Sequence, residues 1–336
     1  MNDEQELRKT FVSILSRGRK ANTYKFALAR CILDHIQRTH SDTIQEKISS
    51  QDSINISYDD LAENFLKYYW HQECKYRIVQ NFDPKKIPRV ISIIREVFGN
   101  EYQSGTLGDL KKDPKNNNKL KLAKDKIRDE VFIKSPEVVP RFQNIMQGGI
   151  GIQKELFYIN NPEKKQIELK FSALDFLNKN QMFLINTITL EWAKFLEKTN
   201  TLPRLIAKID TSEKKRTGLR KYIKIFKDFD HCFYCKDMIS GFQKHVDHFI
   251  PWSYIFEDDA WNLVISCQKC NCKKRDSLPN KEYLEKLIER NYSYKKQIQK
   301  LKESLIRIDT HKGWEKEIKN HYSSCKEYGF TQIPLP

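Results

Sequence analysis

The sequence predicts a mostly helical α+β protein that carries a small, metal-stapled module in its C-terminal half. Apolar residues recur at helical spacing through most of the chain, so helices should form its body. Two Cys-x-x-Cys pairs, Cys232/Cys235 and Cys267/Cys270, lie in the C-terminal half. Two short runs of β-forming residues lie between these pairs, at 245–251 and 261–266, and a short helix is expected after the second pair.

The spacing of the two cysteine pairs is typical of a zinc site. Two short turns of this kind close four thiolates around one Zn²⁺. The alternative is four unconnected buried cysteines. Two Cys-x-x-Cys pairs in a chain without secretory features are, however, more often metal ligands. A zinc ion held by four cysteines has no open coordination position, so it stabilises a fold and catalyses nothing. The remaining cysteines are expected to be free thiols: Cys31, Cys74, Cys272 and Cys325.

Four polar residues in and around this module carry the candidate chemistry. Asp247 and Asn271 offer a carboxylate and an amide oxygen, which are hard ligands suited to Mg²⁺ or Mn²⁺. His248 has a side chain that can take a proton from a water molecule near neutral pH. Taken singly these residues are commonplace, and Asn262 can simply cap a turn. Their register with the cysteine pairs favours hydrolysis of a phosphodiester over a module that only binds zinc.

The order Asp-His, Asn, Cys-x-x-Cys-Asn-x-x-Lys between residues 231 and 279 resembles the HNH nucleases. This resemblance implies a ββα-metal core, in which two strands and a helix hold one catalytic divalent ion. It implies that Asp247 and Asn271 are metal ligands and that His248 is the general base. Asn262 corresponds to the middle Asn of the family motif, so these four are the candidate catalytic residues. The flanks carry no motif that we assign to a named protein.

The charge balance indicates a polyanionic partner. The chain has 336 residues, with 60 Lys and Arg against 44 Asp and Glu, which gives a formal charge of +16. We expect DNA, although Lys-rich proteins are often basic without binding it. The expected contacts border the module, after the second cysteine pair and in the basic run ahead of the first. The candidate DNA-contacting residues are His245, Arg216, Arg220, Lys221, Lys274 and Arg275.

Composition and periodicity divide the chain into five expected segments. They are an N-terminal helical domain at 1–103, a basic linker or loop at 104–135, a middle region with a β-hairpin and helices at 136–210, an HNH nuclease domain with structural zinc at 211–280, and a C-terminal helical segment at 281–336. The lysine-rich 104–135 segment is interpreted either as a phosphate-tracking arm or as a solvated spacer. Because aromatic residues are missing from its basic run, we favour the spacer.

These observations predict a metal-dependent DNA endonuclease that uses a one-metal HNH mechanism. The arrangement of a helical body and an HNH core is similar to bacterial restriction and anti-phage defence nucleases, an analogy of arrangement only. A homing- or resolvase-type HNH nuclease is the enzymatic alternative. A non-catalytic zinc-ribbon module that binds nucleic acid is the alternative of a different class.

The expected cofactors are structural Zn²⁺ and catalytic Mg²⁺ or Mn²⁺. No apolar run approaches the roughly 18 residues that span a bilayer, and the first residues are acidic, so a cytoplasmic protein without membrane contact is expected. The expected partner is DNA. A homodimer, or a partner protein of a defence system, is a further expectation that the sequence leaves open.

Overall fold

The computed structural model describes most of the chain. The described residues are 3–18, 20–99, 106–135, 138–147, 150–153, 155–210, 218–309, 311 and 313–336. Within these residues, no helix combines the length and the apolar character needed to cross a membrane.

The chain folds into two compact units. The first comprises Met1–Asn200 and Lys208–Thr211, and the second comprises Thr201–Ala207 and Ser212–Pro336. The first unit therefore contains the segments expected at 1–103 and 104–135 and most of the one expected at 136–210, of which Thr201–Ala207 belongs to the second unit. The segment expected at 281–336 belongs to the same unit as the cysteine pairs.

The first unit is helical, with two small antiparallel sheets. Its helices are α1 (Asp3–Ser16), α2 (Tyr24–Arg38), α3 (Ser41–Ser49), α4 (Tyr58–Tyr76), α5 (Arg89–Phe98), α6 (Leu107–Lys112), α7 (Asn117–Ile127), α8 (Val139–Phe142), α9 (Phe171–Lys179) and α10 (Gln181–Leu196). Its strands are β1 (Ile54–Ser57), β2 (Asn144–Gln147), β3 (Ile150–Gln153), β4 (Tyr158–Asn161) and β5 (Gln166–Leu169). One sheet has the order β1-β5-β4, and its β4–β5 pair is the predicted hairpin, whereas β2 pairs with β3. A short helix, α11 (Leu205–Ile209), contains the boundary between the units.

Aromatic side chains form much of the core of the first unit. Helix α4 begins after Ser57, whose hydroxyl oxygen accepts a hydrogen bond from the amide of Asp60 at 3.0 Å, as a helix N-cap requires. The aromatic residues along α4 are buried, including Tyr69, which is fully enclosed. Trp192 of α10 stacks on Phe26 of α2 with ring centroids 6.1 Å apart. These rings are therefore core residues, and base stacking by them is excluded.

The prediction of an exposed loop over 104–135 is wrong for the residues that the structure describes. Residues 106–133 form α6, α7 and a π-helical turn at Arg128–Ile133. Ala123, Ile127 and Val131 are buried at a spacing of four residues, and α7 packs against α4 and α5. The many lysines of this segment lie around that narrow apolar stripe, so composition alone concealed the helix.

The second unit places a short hairpin and a short helix under a layer of helices. Its elements are β6 (His245–His248), α12 (Trp252–Ile255), β7 (Leu263–Ser266), α13 (Gln268–Lys274), β8 (Leu278–Pro279), α14 (Lys281–Tyr294), α15 (Gln299–Ile308), α16 (Trp314–Glu327) and β9 (Gln332–Ile333). Strands β6 and β7 are antiparallel, and β8 and β9 are parallel. The predicted order of two strands and a short helix around the second cysteine pair is therefore present.

Buried polar contacts fix the hairpin beneath the helices. The carbonyl oxygen of Trp261 accepts a hydrogen bond from the side chain of Asn291 on α14 at 3.1 Å. The amide of Trp261 donates to the hydroxyl of Ser304 on α15 at 3.0 Å. Tyr322 of α16 donates its hydroxyl hydrogen to the carbonyl of Pro279 at 2.6 Å. Helices α14 to α16 are therefore part of the same core as the hairpin, which would be too small to fold alone.

Candidate functional site

Two local turns present the four cysteine thiols. In the first turn, the amide of Cys232 donates to the carbonyl of Asp237, and the amide of Lys236 donates to the carbonyl of Cys232. Lys236 has a φ of 66°, the left-handed conformation that closes this turn. The second pair begins at the N-cap of α13, where the Cys267 thiol accepts from the amide of Cys270 at 3.4 Å.

The thiol geometry fits a zinc ion. The four Sγ atoms of Cys232, Cys235, Cys267 and Cys270 lie within 4.8 Å of one another, and those of Cys235 and Cys267 are 3.8 Å apart. A tetrahedron with Zn–S bonds of about 2.3 Å has sulfur-to-sulfur edges of about 3.8 Å. Among the described residues, this is the one group of three or more His, Cys, Asp or Glu side chains whose ligand atoms lie close enough together to hold a metal ion. The cluster can therefore hold zinc.

Without a metal, the surroundings favour the neutral form of two of the thiols. Burial raises the pKa of Cys235 to about 11 and raises that of Cys270. For Cys267, burial is opposed by the Cys270 amide and the neighbouring thiols, and the pKa is lowered. Several thiolates cannot stay charged so close together without a counter-ion, so all four would become metal ligands only with a cation that replaces their protons. A bound Zn²⁺ would supply that charge.

Asp247 is a buried carboxylate with partners on one oxygen. Its Oδ2 accepts the hydroxyl hydrogen of Tyr234 at 2.7 Å and lies 3.3 Å from the ammonium nitrogen of Lys274. Both Asp247 and Lys274 are almost completely buried, so the pair is shielded from water. Burial, and then the Asp247 carboxylate, raise the pKa of Tyr234 well above its usual range. Tyr234 is therefore a neutral hydrogen-bond donor, and Oδ1 is the carboxylate oxygen without a hydrogen bond among the described residues.

His248 ends β6 and is held by a second carboxylate. Its Nε2 lies 2.9 Å from Oδ1 of Asp258, and the imidazole is only 1 % exposed. An ionised carboxylate only accepts hydrogen bonds, so with Asp258 ionised this contact places a hydrogen on Nε2 of His248. The sequence did not single out Asp258, and the acidic run at 257–259 was the available signal.

Two ion pairs anchor the loop that carries Asp258. Glu257 pairs with Arg204, and Asp259 pairs with Arg307 of α15. Each arginine side chain is more than half exposed, so each pair contributes little to stability. Their value is positional, because they restrain the loop on both sides of the carboxylate that contacts His248.

Asn262 is a structural residue here. Its side-chain oxygen accepts from the amide of Ile250 at 2.7 Å, and its side-chain nitrogen donates to the carbonyl of Ile250 at 2.8 Å. The residue is fully buried. Both ends of its amide are thus used to tie the start of β7 to the segment after β6. The expectation that Asn262 is itself catalytic is corrected to a positioning role.

Asn271 lies on α13 and is half-buried. Among the described residues its side chain has no hydrogen-bond partner, so its amide oxygen is available as a ligand. Cys272 is exposed on the same helix and lies outside the four-thiol cluster. The helix therefore presents one zinc-ligand thiol and one candidate oxygen ligand in consecutive positions, Cys270 and Asn271.

Comparison with protein families singles out the same segment. Residues 232–280 match the family model of the HNH endonuclease. The match and the cysteine cluster support an HNH-type domain. Residues 4–99 match a Domain of unknown function (DUF8808). No curated protein and no solved structure matches the chain.

The structure separates the expected DNA contacts of the HNH-type domain into two groups. Arg275, Arg220 and Lys221 are exposed, and His245 is half-buried. Lys274 is fully buried, and its ammonium group also donates to the carbonyl oxygen of His248 at 2.6 Å. The expectation that Lys274 contacts DNA is therefore corrected, because its charge is used inside the protein. Arg216 lies outside the described residues.

Proposed function

We propose that the HNH-type domain is a DNA endonuclease that hydrolyses phosphodiester bonds with one catalytic divalent ion. The observation that carries the proposal is the pairing of a carboxylate and a histidine at the end of β6, inside the segment that matches the HNH endonuclease model. Asp247 is fixed there by Tyr234 and Lys274, and His248 is fixed by Asp258. A module that only bound nucleic acid would not need either arrangement.

Asp247 and Asn271 are the residues that would hold Mg²⁺ or Mn²⁺. A carboxylate oxygen and an amide oxygen have the hard character that these cations prefer, and two protein ligands leave positions for water and phosphate. When bound, the cation stabilises negative charge on the phosphate and on the leaving oxygen. The buried ammonium of Lys274 pairs with Asp247 and so ties β6 to α13, which carries Asn271.

His248 would act as the general base. The contact of Nε2 with Asp258 holds the ring in place, and the imidazole would remove a proton from the attacking water. The ring is almost completely buried, so bulk solvent does not reach it in this conformation. DNA binding must therefore open a path to the imidazole. The loop that carries Asp258 contacts the imidazole directly, so a movement of this loop would open such a path.

The biological setting follows only by analogy. A role in bacterial restriction or anti-phage defence is the proposal, and a homing- or resolvase-type nuclease is the alternative. A domain with one metal centre cuts one strand at a time, so a double-strand break requires a homodimer, a partner protein or two successive events.

Nicking of supercoiled plasmid tests the proposed activity. The zinc-loaded protein should convert supercoiled to open-circular DNA when Mg²⁺ or Mn²⁺ is added, and dialysis against buffer without these cations should stop the reaction while the zinc content stays unchanged. DNA binding with no cleavage under any divalent cation would support the non-catalytic zinc-ribbon alternative instead.

A further inference from the structure

A cavity of about 370 Å³ lies in the second unit, apart from the candidate catalytic residues. It is lined by the segment that leads to the first cysteine pair, by Cys232 of that pair, by β7 and by α14. Its volume is within the range of about 300–1,000 Å³ typical of ligand pockets. Aromatic rings form much of its wall: Phe226, Phe229, Phe233 and Tyr294.

Arg290 is the cavity's inner charged residue. The other charged side chains that line the cavity are exposed, whereas Arg290 is largely buried. Its Nη2 donates to the carbonyl of Trp261 at 3.1 Å, and its guanidinium lies 5.3 Å from the ring centroid of Phe226. Among the described residues, no carboxylate pairs with it, and its Nε has no hydrogen-bond partner.

Burial of the Arg290 guanidinium without a counter-charge costs free energy, because the charged group loses contact with water. Desolvation lowers the pKa of Arg290 to about 9, so the group stays charged at neutral pH and its N–H donors are under-used. A guanidinium carries five N–H donors, and a backbone carbonyl satisfies one of them here. A ligand that brings hydrogen-bond acceptors into the cavity would therefore be stabilised by Arg290.

The charges at the rim of the cavity do not favour binding of a simple anion. Three acidic residues, Asp228, Asp230 and Glu289, stand there with Lys236 and Lys286. This mixed charge gives no net attraction for phosphate alone. A flat, neutral ring with an acceptor-rich edge fits better, because aromatic walls stack on bases and arginine donates to O6 and N7 of guanine.

We propose that this cavity holds an unstacked guanine base, with Arg290 on its acceptor edge and the Phe229–Tyr294 pair against one of its faces. These two rings contact each other at the wall, with centroids 4.6 Å apart, and together offer one apolar surface to a base. The base comes either from the nucleic-acid strand or from a free guanine nucleotide. The proposal rests on the proposed nuclease function, since it names a preferred feature of that enzyme's substrate.

Binding of short oligonucleotides tests this proposal. Oligothymidylates with one central G, A or C are titrated by fluorescence anisotropy against the full-length His248→Ala protein, so that cleavage cannot interfere. The oligonucleotide with G should bind about tenfold more tightly than the others. Competition with GMP and CMP separates the two sources: displacement by GMP indicates a free nucleotide, and binding of the strand alone indicates an unpaired base.

Three further substitutions in the same background complete the test. Arg290→Met should remove the guanine preference, and Tyr294→Ala should weaken binding of the oligonucleotide with G by about fivefold or more while leaving the affinity for the others nearly unchanged. Lys300→Ala, an exposed lysine on α15 outside the cavity, should change nothing. If Arg290→Met does not fold, Tyr294→Ala decides alone.

Equal affinity for all oligonucleotides, or a guanine preference that survives Arg290→Met in folded protein, overturns the proposal. Cleavage by the wild-type protein is measured separately. Cleavage without guanine preference leaves the nuclease proposal standing, and guanine preference without cleavage removes the nuclease proposal alone.

Discussion

Three residues around β6 determine what the candidate site can do. Asp247 is buried and held on Oδ2 by Tyr234, and His248 is buried with its Nε2 in contact with a second carboxylate. Asp258 supplies that second contact from a loop. Each reactive group is thus positioned by a partner before substrate arrives, which is the arrangement that efficient proton transfer requires.

Asp258 is expected to be a positioning residue. Asp258→Asn keeps the shape of the side chain but removes the charge that fixes the hydrogen of His248 on Nε2. We expect kcat for DNA cleavage to fall by about 10- to 100-fold while KM stays within about twofold. Asp258→Glu should restore part of the rate. Steady-state kinetics on one oligonucleotide measures both effects, and an unchanged kcat for Asp258→Asn would remove this residue from the site.

Asp247 and Asn271 are expected to serve the catalytic cation and not the zinc. Asp247→Asn and Asn271→Ala should raise the Mg²⁺ or Mn²⁺ concentration needed for half-maximal cleavage by about 10-fold or more. Zinc content, measured by atomic absorption, should stay at one ion per chain, because the four thiols remain. Loss of zinc from either variant, with unaltered dependence on Mg²⁺, would show that these residues support the thiol cluster.

At the scale of elements, the cysteine cluster joins two segments that are distant along the chain. The first pair lies ahead of β6, and the second pair opens α13. Without the metal, the contacts between the two cysteine pairs themselves are weak, such as the amide of Cys267 donating to Cys232 Sγ at 3.3 Å, whereas Lys274 holds the last turn of α13 against β6. The zinc ion is therefore expected to fix the start of α13 relative to β6.

Removal of zinc should unfold this region. Cys267→Ser, or a strong zinc chelator, should abolish amide-exchange protection across β6, β7 and α13, because binding energy of a structural zinc is folding energy. Hydrogen exchange followed by mass spectrometry gives the readout, and Cys272→Ser, an exposed thiol outside the cluster, is the matched control. Added Mg²⁺ alone should not restore protection. Normal protection in zinc-free protein would contradict a structural role.

At the scale of the whole molecule, much of the site was predictable from sequence because its determinants are local. The cysteine spacing fixes two turns, and the positions of Asp247, His248 and Asn271 follow from a short strand and helix. The partner Asp258 was not predictable, because a loop's contact depends on how the surrounding helices hold it. Burial of Lys274 was missed although it lies four residues after Cys270, on the same helical face.

The fold shows the same division. Helices with wide apolar stripes, such as α2 and α4, were predicted from spacing. The segment at 106–133 was not, because its apolar stripe is narrow and its lysines dominate the composition. In a short helix that packs on a core by a narrow stripe, most side chains face water. The composition of such a helix therefore reflects its exposed residues and conceals the buried ones.

The exposed basic residues of the second unit should carry most of the DNA affinity. Neutralising Arg220, Lys221 and Arg275 together should weaken binding of all sequences and reduce the slope of log K against log salt by up to about 0.9 per lost phosphate contact. The control set, Lys112, Lys115 and Lys121, removes the same charge from the other unit. A larger change of slope from the control set would place the DNA on the first unit.

The most direct test of the central claim is single-turnover DNA cleavage by His248→Ala. We predict a rate at least about 100-fold below wild type at neutral pH, with zinc content and DNA affinity unchanged, because a general base supplies about 10²- to 10⁴-fold. His40→Ala, the same substitution at an exposed histidine of the first unit, should cleave at the wild-type rate. Cleavage by zinc-loaded His248→Ala at a rate near that of wild type would contradict the assignment of this domain as a nuclease that uses His248.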